Sequence, residues 1–305
     1  MRGKLTEGPA PLLAAVVKEP NLRQAAAAIR RAQLAGASVI DLHLSMLPRG
    51  EVTEQSLRRL MQGSVLPILA LQYNWDMEMQ PLDFTEEERI EQLKTAVRAG
   101  AACIDLQGHT FSREDTRSSL RLPQAAVYSF AEAMPKEVSL DPEVIEKQTD
   151  YIREIHALGA EVLLSVHTGV SMRCEQVLSM VRLLAERGPD LVKVVGLCDT
   201  DEELVEFCRT VLMLQKEVPQ VRVSYHCNGA RGALTRLLGP LLGGWMMFCN
   251  ESYTAVSDLN QLHLGNAQGS ELCVRIIIQM DFLQDLGRIL VHLVVVDDGD
   301  GSVFL

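Results

Sequence analysis

The chain alternates between two patterns: short, continuous apolar runs rich in β-branched residues, and longer segments with helical spacing and one charged face. The apolar runs fall at 12–17 (LLAAVV), 38–44 (SVIDLHL), 66–72 (LPILALQ), 102–107 (ACIDLQ), 161–167 (EVLLSVH), 191–197 (LVKVVGL), 221–227 (VRVSYHC) and 244–249 (GWMMFC). Runs this short, without strict polar alternation, predict strands covered on both faces. Amphipathic stretches at 21–35, 53–62, 85–99, 141–158, 175–186, 200–215, 231–242 and 269–285 predict the helices. Start and stop signals agree: Thr85 precedes three glutamates, Asp141-Pro142 opens a helix, and AGA or LGA closes two of them.

Eight strand–helix pairs in series imply a parallel sheet with helices outside it. Their number and spacing fit an α/β fold of the (β/α)8 TIM-barrel type as a single domain over 1–288. Insertions are expected at about 108–140 and 250–268, and a C-terminal extension, 289–305, as a hairpin around DDGDG. The rival, a doubly wound open sheet, expects a glycine-rich phosphate loop after the first strand, and VVKEPNL has none.

Composition narrows the partners. A formal net charge of −11 disfavours nucleic acid and anionic membrane surfaces and leaves a small molecule. The N-terminal apolar run is broken by Lys18 and Glu19, too soon for a signal peptide, and 289–296 fits a strand better than a membrane anchor. Seven cysteines, with no CxxC pair, lie mostly in apolar segments and suggest reduced thiols in a cytoplasmic protein.

Active sites of parallel barrels form where strands exit at their C-terminal ends. Asp41, His43, Gln72, Asn74, Asp105, Gln107, His109, His167, Lys193, His226, Asn228, Asn250 and Glu251 all fall there. Lys193 is unusual because it lies early in its strand, among valines and leucines. A buried ammonium is costly unless paired or deprotonated. Two explanations stay open: a partly neutral amine that attacks a carbonyl to form a Schiff base, or a packed stem whose head meets water or a buried carboxylate. His167 ends the preceding strand, at a depth expected to match Lys193, and an imidazole beside an iminium carbon is suited to moving protons.

These segments together resemble the type I 3-dehydroquinate dehydratases. VIDLHLS resembles the family's second strand, EVLLSVHTG the strand ending in its catalytic histidine, DLVKVVGL the strand bearing its imine-forming lysine, and NGARGALTRLLG its glycine–arginine segment. The resemblance implies Lys193 as iminium lysine, His167 as general acid–base catalyst and Asp76 as the acid orienting that histidine. It implies Arg236 as a carboxylate-binding arginine, with Asp41, His43, Gln72 and Gln268 also contacting substrate. The family has arginines where this chain has His43 and Gln72, so the clamp is less cationic; either Arg236 suffices or the substrate has changed.

The implied reaction is a hydro-lyase step of the shikimate pathway: elimination of water from a β-hydroxy ketone, 3-dehydroquinate or a related compound, through a Schiff base. It needs no metal or organic cofactor, and the resemblance implies a homodimer. Two alternatives remain. His43, His109, His167 and His226, with Asp41, Asp105 and Glu251, could assemble a divalent-metal site of a hydrolase or isomerase, although no HxH or HExxH spacing fixes ligands. The second is a non-catalytic relative that binds a metabolite.

Overall fold

The computed structural model describes residues 3–8, 10–73, 85–112, 138–255 and 257–267. Strands β1 (Leu12–Val17), β2 (Val39–His43), β3 (Ile68–Leu71), β4 (Cys103–Gln107), β5 (Glu161–His167), β6 (Leu191–Leu197), β7 (Arg222–Asn228) and β8 (Met246–Asn250) run parallel in the order β7-β6-β5-β4-β3-β2-β1-β8. A two-residue strand, β9 (Leu262–His263), pairs outside β8. Trp245 N donates to Val223 O at 2.9 Å and Ser224 Oγ to Met246 O at 2.7 Å, bringing the start of β8 beside β7. The sheet therefore curls round into the barrel its periodicity predicts. The helix expected at 269–285, the 289–305 extension and residues 113–137 of the first insertion lie outside the described residues.

Between the strands lie α1 (Leu22–Leu34), α2 (Glu54–Gln62), α3 (Glu86–Ala99), α4 (Pro142–Ala157), α5 (Cys174–Ala185), α6 (Asp201–Glu217) and α7 (Gly232–Leu241). Several start at a side-chain cap. Asn21 accepts from Gln24 N, Asp141 accepts from Glu143 N ahead of Pro142, and Thr85 and Thr200 form capping boxes with Glu88 and Glu203. Gly100 (φ 114°) ends α3 in a left-handed turn that a side chain would strain, and Gly159 (φ 89°) does so just beyond α4. Among the described residues no helix is long and apolar enough to cross a membrane.

Alternation along each strand separates two cores. Outward residues such as Ile40, Leu42, Ile68, Ala70, Ile104, Leu106, Val192 and Val194 pack under the helices. Inward residues Leu12, Ala14, Val39, Leu69, Cys103, Leu163, Leu191, Met246 and Phe248 fill the barrel. Leu5 joins this inner cluster from the N-terminal segment: its N–H donates to Glu161 Oε2 at 2.5 Å, Thr6 Oγ1 also bonds Glu161, and Trp245 Nε1 donates to Leu5 O at 3.1 Å. These contacts cover the end where the strands begin, and the inner core leaves its polar residues toward their exits.

Arg89 braces those exits. It is fully buried, donates to Gln72 O at 3.0 Å, to Thr110 Oγ1 at 2.7 Å and to both oxygens of Glu86 at 2.7 and 2.8 Å, and so ties the ends of β3 and β4 to α3. Glu86 is partly exposed, but loss of the guanidinium also leaves Gln72 O and Thr110 Oγ1 without their donor, at about 1–3 kcal/mol for each buried group left bare. Arg89→Ala is expected to destabilise the fold by about 3 kcal/mol or more, read as a lower denaturant midpoint with unchanged slope.

Candidate active site

The polar residues begin one inward position above the apolar floor of the barrel. On β6 the inward series is Leu191, Lys193, Val195; on β4 it is Cys103, Asp105, Gln107; on β5 it is Leu163, Ser165, His167. Lys193 Nζ lies 2.7 Å from Asp105 Oδ2, Ser165 Oγ donates to Asp105 Oδ1 at 2.5 Å, and the ammonium stands 5.0 Å over the centroid of Phe248. Both members of the ion pair are buried. The amine thus faces the interior, as one of the two sequence explanations required, and it meets a buried carboxylate, as the other did.

This pairing reverses one expectation. Burial alone acts to depress the amine, which would make it partly neutral. The negative charge of Asp105, with Tyr73 and Asp41 and the Asp105 hydrogen bond, outweighs that penalty and holds Lys193 above the ordinary lysine range. The resting state is an ammonium with a dedicated counter-ion.

His167 lies opposite Val195, and Lys193 opposite Ser165. Both face the axis, but the imidazole sits one inward step nearer the strand exit than the amine, not at the matched depth expected. Its Nε2 is 3.4 Å from Tyr73 Oη, and the Tyr73 ring also packs edge-on to His43, centroids 5.8 Å apart. His43 Nε2 lies 3.4 Å from Asp41 Oδ2; burial depresses His43 despite that carboxylate, so the imidazole is neutral. His226, 5.7 Å from the Phe248 ring, is depressed further, by burial first and then by the charges of Arg236 and Lys193.

Arg236 reaches the mouth from α7. Its Nη2 donates to Asn228 Oδ1 at 2.7 Å and to Asp258 Oδ2 at 2.8 Å, and Nε is buried without a partner. Gln72 does not stand where a substrate clamp needs it. It continues the outward face of Ile68 and Ala70, with its carbonyl held by Arg89, while Tyr73 continues the inward face and meets the histidines. Asp76 and Gln268 lie outside the described residues.

The metal alternative loses its ligand set. Asp105 is committed to Lys193, Glu251 pairs with Arg31 at 2.9 Å on the outside, and among the described residues no three His, Cys, Asp or Glu side chains come together as metal ligands. Ser165 and Asp258 carry no sequence signal for a place in the set, Tyr73 was legible only as a candidate pocket wall, and Asp105 only as a strand-exit acid and candidate metal ligand. The signal for Asp105 was present: an acid inside the apolar run ACIDLQ poses the same puzzle as the lysine inside LVKVVGL.

Fold and site define a class, a (β/α)8 barrel with an interior lysine on β6 paired to an acid on β4, and an inward histidine on β5 between them. The sequence pattern of the type I 3-dehydroquinase family matches residues 13–265, and the chain belongs to that family. A 3-dehydroquinate dehydratase from Desulfotalea psychrophila is 25% identical over 186 residues, 61% of this chain and 67% of that one. The fold is shared with the 3-dehydroquinate dehydratase of Geobacillus kaustophilus (TM-score 0.67, 15% identity, 88% of this chain and 93% of that one). It is shared equally with the type I enzyme of Clostridium difficile (TM-score 0.67, 14% identity, 88% and 94%).

The buried imidazoles set a pH dependence of stability. His43 and His226 have folded pKa values below the unfolded value of about 6.5, so the unfolded chain takes up protons that the folded chain refuses. Their contribution is present above that pH and is lost as pH falls below it. The urea midpoint is expected to drop between about pH 7.5 and 5.5, and to drop less in His226→Gln, which removes one of the two groups.

Proposed function

We propose that the protein is a hydro-lyase that eliminates water from 3-dehydroquinate or a closely related β-hydroxy ketone through an imine on Lys193. The observation that carries this is the interior placement of Lys193, 2.7 Å from Asp105 and one inward step below His167. Family membership and the name of the curated relative support the same reaction.

The geometry suggests a division of labour. In the resting enzyme Asp105 keeps the ammonium in place. As the ketone docks, the carboxylate in contact with Nζ takes a proton, and the free amine adds to the carbonyl carbon. The carbonyl oxygen, taking one proton from the nitrogen and the one held by Asp105, leaves as water, and the protonated iminium that remains carries its charge where the ammonium had it, with Asp105 again a carboxylate counter-ion. That cation acidifies the neighbouring C–H. His167 removes the proton to give an enamine, which expels the β-hydroxyl as the imidazolium returns a proton to it. Water then hydrolyses the iminium and frees the enone. Tyr73 Oη, close to His167 Nε2, helps to fix the ring; Asp76 is proposed as a further orienting acid.

Arg236 is the proposed site of the substrate carboxylate, its planar fork suited to two oxygens. Asp258 occupies one arm in the structure and would have to yield or share it. Asp41 and the neutral His43 line the wall at the end of β2 as a buried pair, and Gln268 is a proposed contact from the segment after β9. Residues up to 288 are proposed to complete the barrel domain, 289–305 to extend it, and the protein to act as a homodimer. A cytoplasmic setting is proposed on the free state of Cys103, Cys174, Cys198, Cys208, Cys227 and Cys249.

The trapping experiment separates the roles. Borohydride added during turnover of 3-dehydroquinate is expected to reduce the iminium to a secondary amine, a mass increase that peptide mapping assigns to Lys193. Lys193→Ala loses both adduct and turnover. His167→Ala keeps the adduct while turnover falls about a hundred- to ten-thousand-fold. Undiminished turnover by Lys193→Ala would refute the mechanism.

A further inference from the structure

Gln107 is the last residue of β4, two positions beyond Asp105 on the same strand and paired in register with Ser165. Cys103 belongs to the inner core and Asp105 holds Lys193, so alternation turns Gln107 to the interior as well. The side chain is fully buried, yet neither its Nε2 nor its Oε1 has a hydrogen-bond partner. Buried carboxamides are normally satisfied, because leaving such groups bare costs stability.

The same molecule supplies the contrast. Gln148 is equally buried and plainly structural: its Nε2 donates to Gly108 O at 2.9 Å and to Thr110 O at 2.8 Å, and its Oε1 accepts from Arg187. Gln107 has no such duties in the free protein. Both ends of its amide are open, which selects the chemistry of what completes it. A carboxylate could use only the NH2, and a cation only the carbonyl oxygen. A hydroxyl both donates and accepts and so can meet either end, and a pair of adjacent hydroxyls satisfies both ends at once.

We propose that Gln107 is a specificity-determining residue that binds a hydroxyl of the keto substrate on the exit side of the carbon joined to Lys193. This rests on the imine-forming reading of the site and deepens it: the substrate is a polyhydroxylated ketone, and one non-reacting hydroxyl is read by a neutral amide. Such a site rejects an analogue without that hydroxyl, because the amide is then left buried and unpaired in the complex.

The test uses the full-length protein, Gln107→Met, 3-dehydroquinate and a set of analogues each lacking one hydroxyl. The variant is expected to keep or raise the ligand-free thermal midpoint, since an unpaired amide has been replaced by an apolar group of similar size. Its kcat/KM for 3-dehydroquinate is expected to fall about tenfold to a hundredfold. One analogue, poor for the wild type, should be used equally well by both proteins. Calorimetry of analogue binding gives the same comparison without turnover. A lowered midpoint with unchanged discrimination among analogues would overturn the assignment, as would an equal loss for every analogue. Absence of wild-type turnover and of any borohydride adduct would instead sink the dehydratase reading, and Gln107 is then judged on the binding comparison.

Discussion

A buried ammonium and a buried carboxylate, 2.7 Å apart inside the barrel, constrain what the surrounding sequence can be. Each charge alone in that interior would carry a desolvation penalty of several kcal/mol. Together, with Ser165 on the second oxygen of Asp105 and the face of Phe248 beneath the ammonium, they are tolerated. In the imine mechanism proposed above, this pair is an amine fixed in place, with a group in contact to receive its proton and a negative charge to meet the iminium. It also fixes a cost, because the same carboxylate keeps the resting amine protonated.

The fold makes this pair possible by treating the two ends of the barrel differently. At the strand origins Leu5, Leu12, Val39, Leu163, Leu191 and Met246 exclude water, and Glu161 is consumed in holding the N-terminal segment. Toward the exits the inward positions change to Asp41, Asp105, Ser165, Lys193, His43 and His167. Arg89, reaching the backbone after β3 and the loop after β4, and Arg187, reaching Gln148 and Ser139 O, stiffen the rim outside the barrel wall. Rigid strands and braced exits are what hold reacting groups in place without support from substrate.

The mouth is less cationic than the family resemblance implies. His43 is neutral through burial, and Tyr73 stands inward where a charged clamp would help. Among the described residues, the other cations near the mouth are Arg236, already sharing Asp258, and Lys18 just after β1, whose amine burial depresses while Asp41 and Asp258 oppose that shift. Charge in this site is therefore close to internally balanced before a ligand enters. The Gln107 amide, buried with both ends unpartnered, is the neutral group proposed above to read substrate there.

Periodicity alone specified the eight apolar runs, the helices between them and hence the barrel, because a strand buried on both faces and an amphipathic helix have local signatures. The inward parity of Lys193 and His167 was also legible, since strand alternation has a period of two wherever it occurs. Depth, partners and protonation were not. That Asp105 and not solvent meets Lys193, that His167 sits a step higher, and that Tyr73 and not Gln72 turns to the histidines depend on barrel stagger and on contacts between residues as far apart as 94 positions. Local sequence carries no record of such distances; only closure of the sheet brings them together and decides which charge prevails.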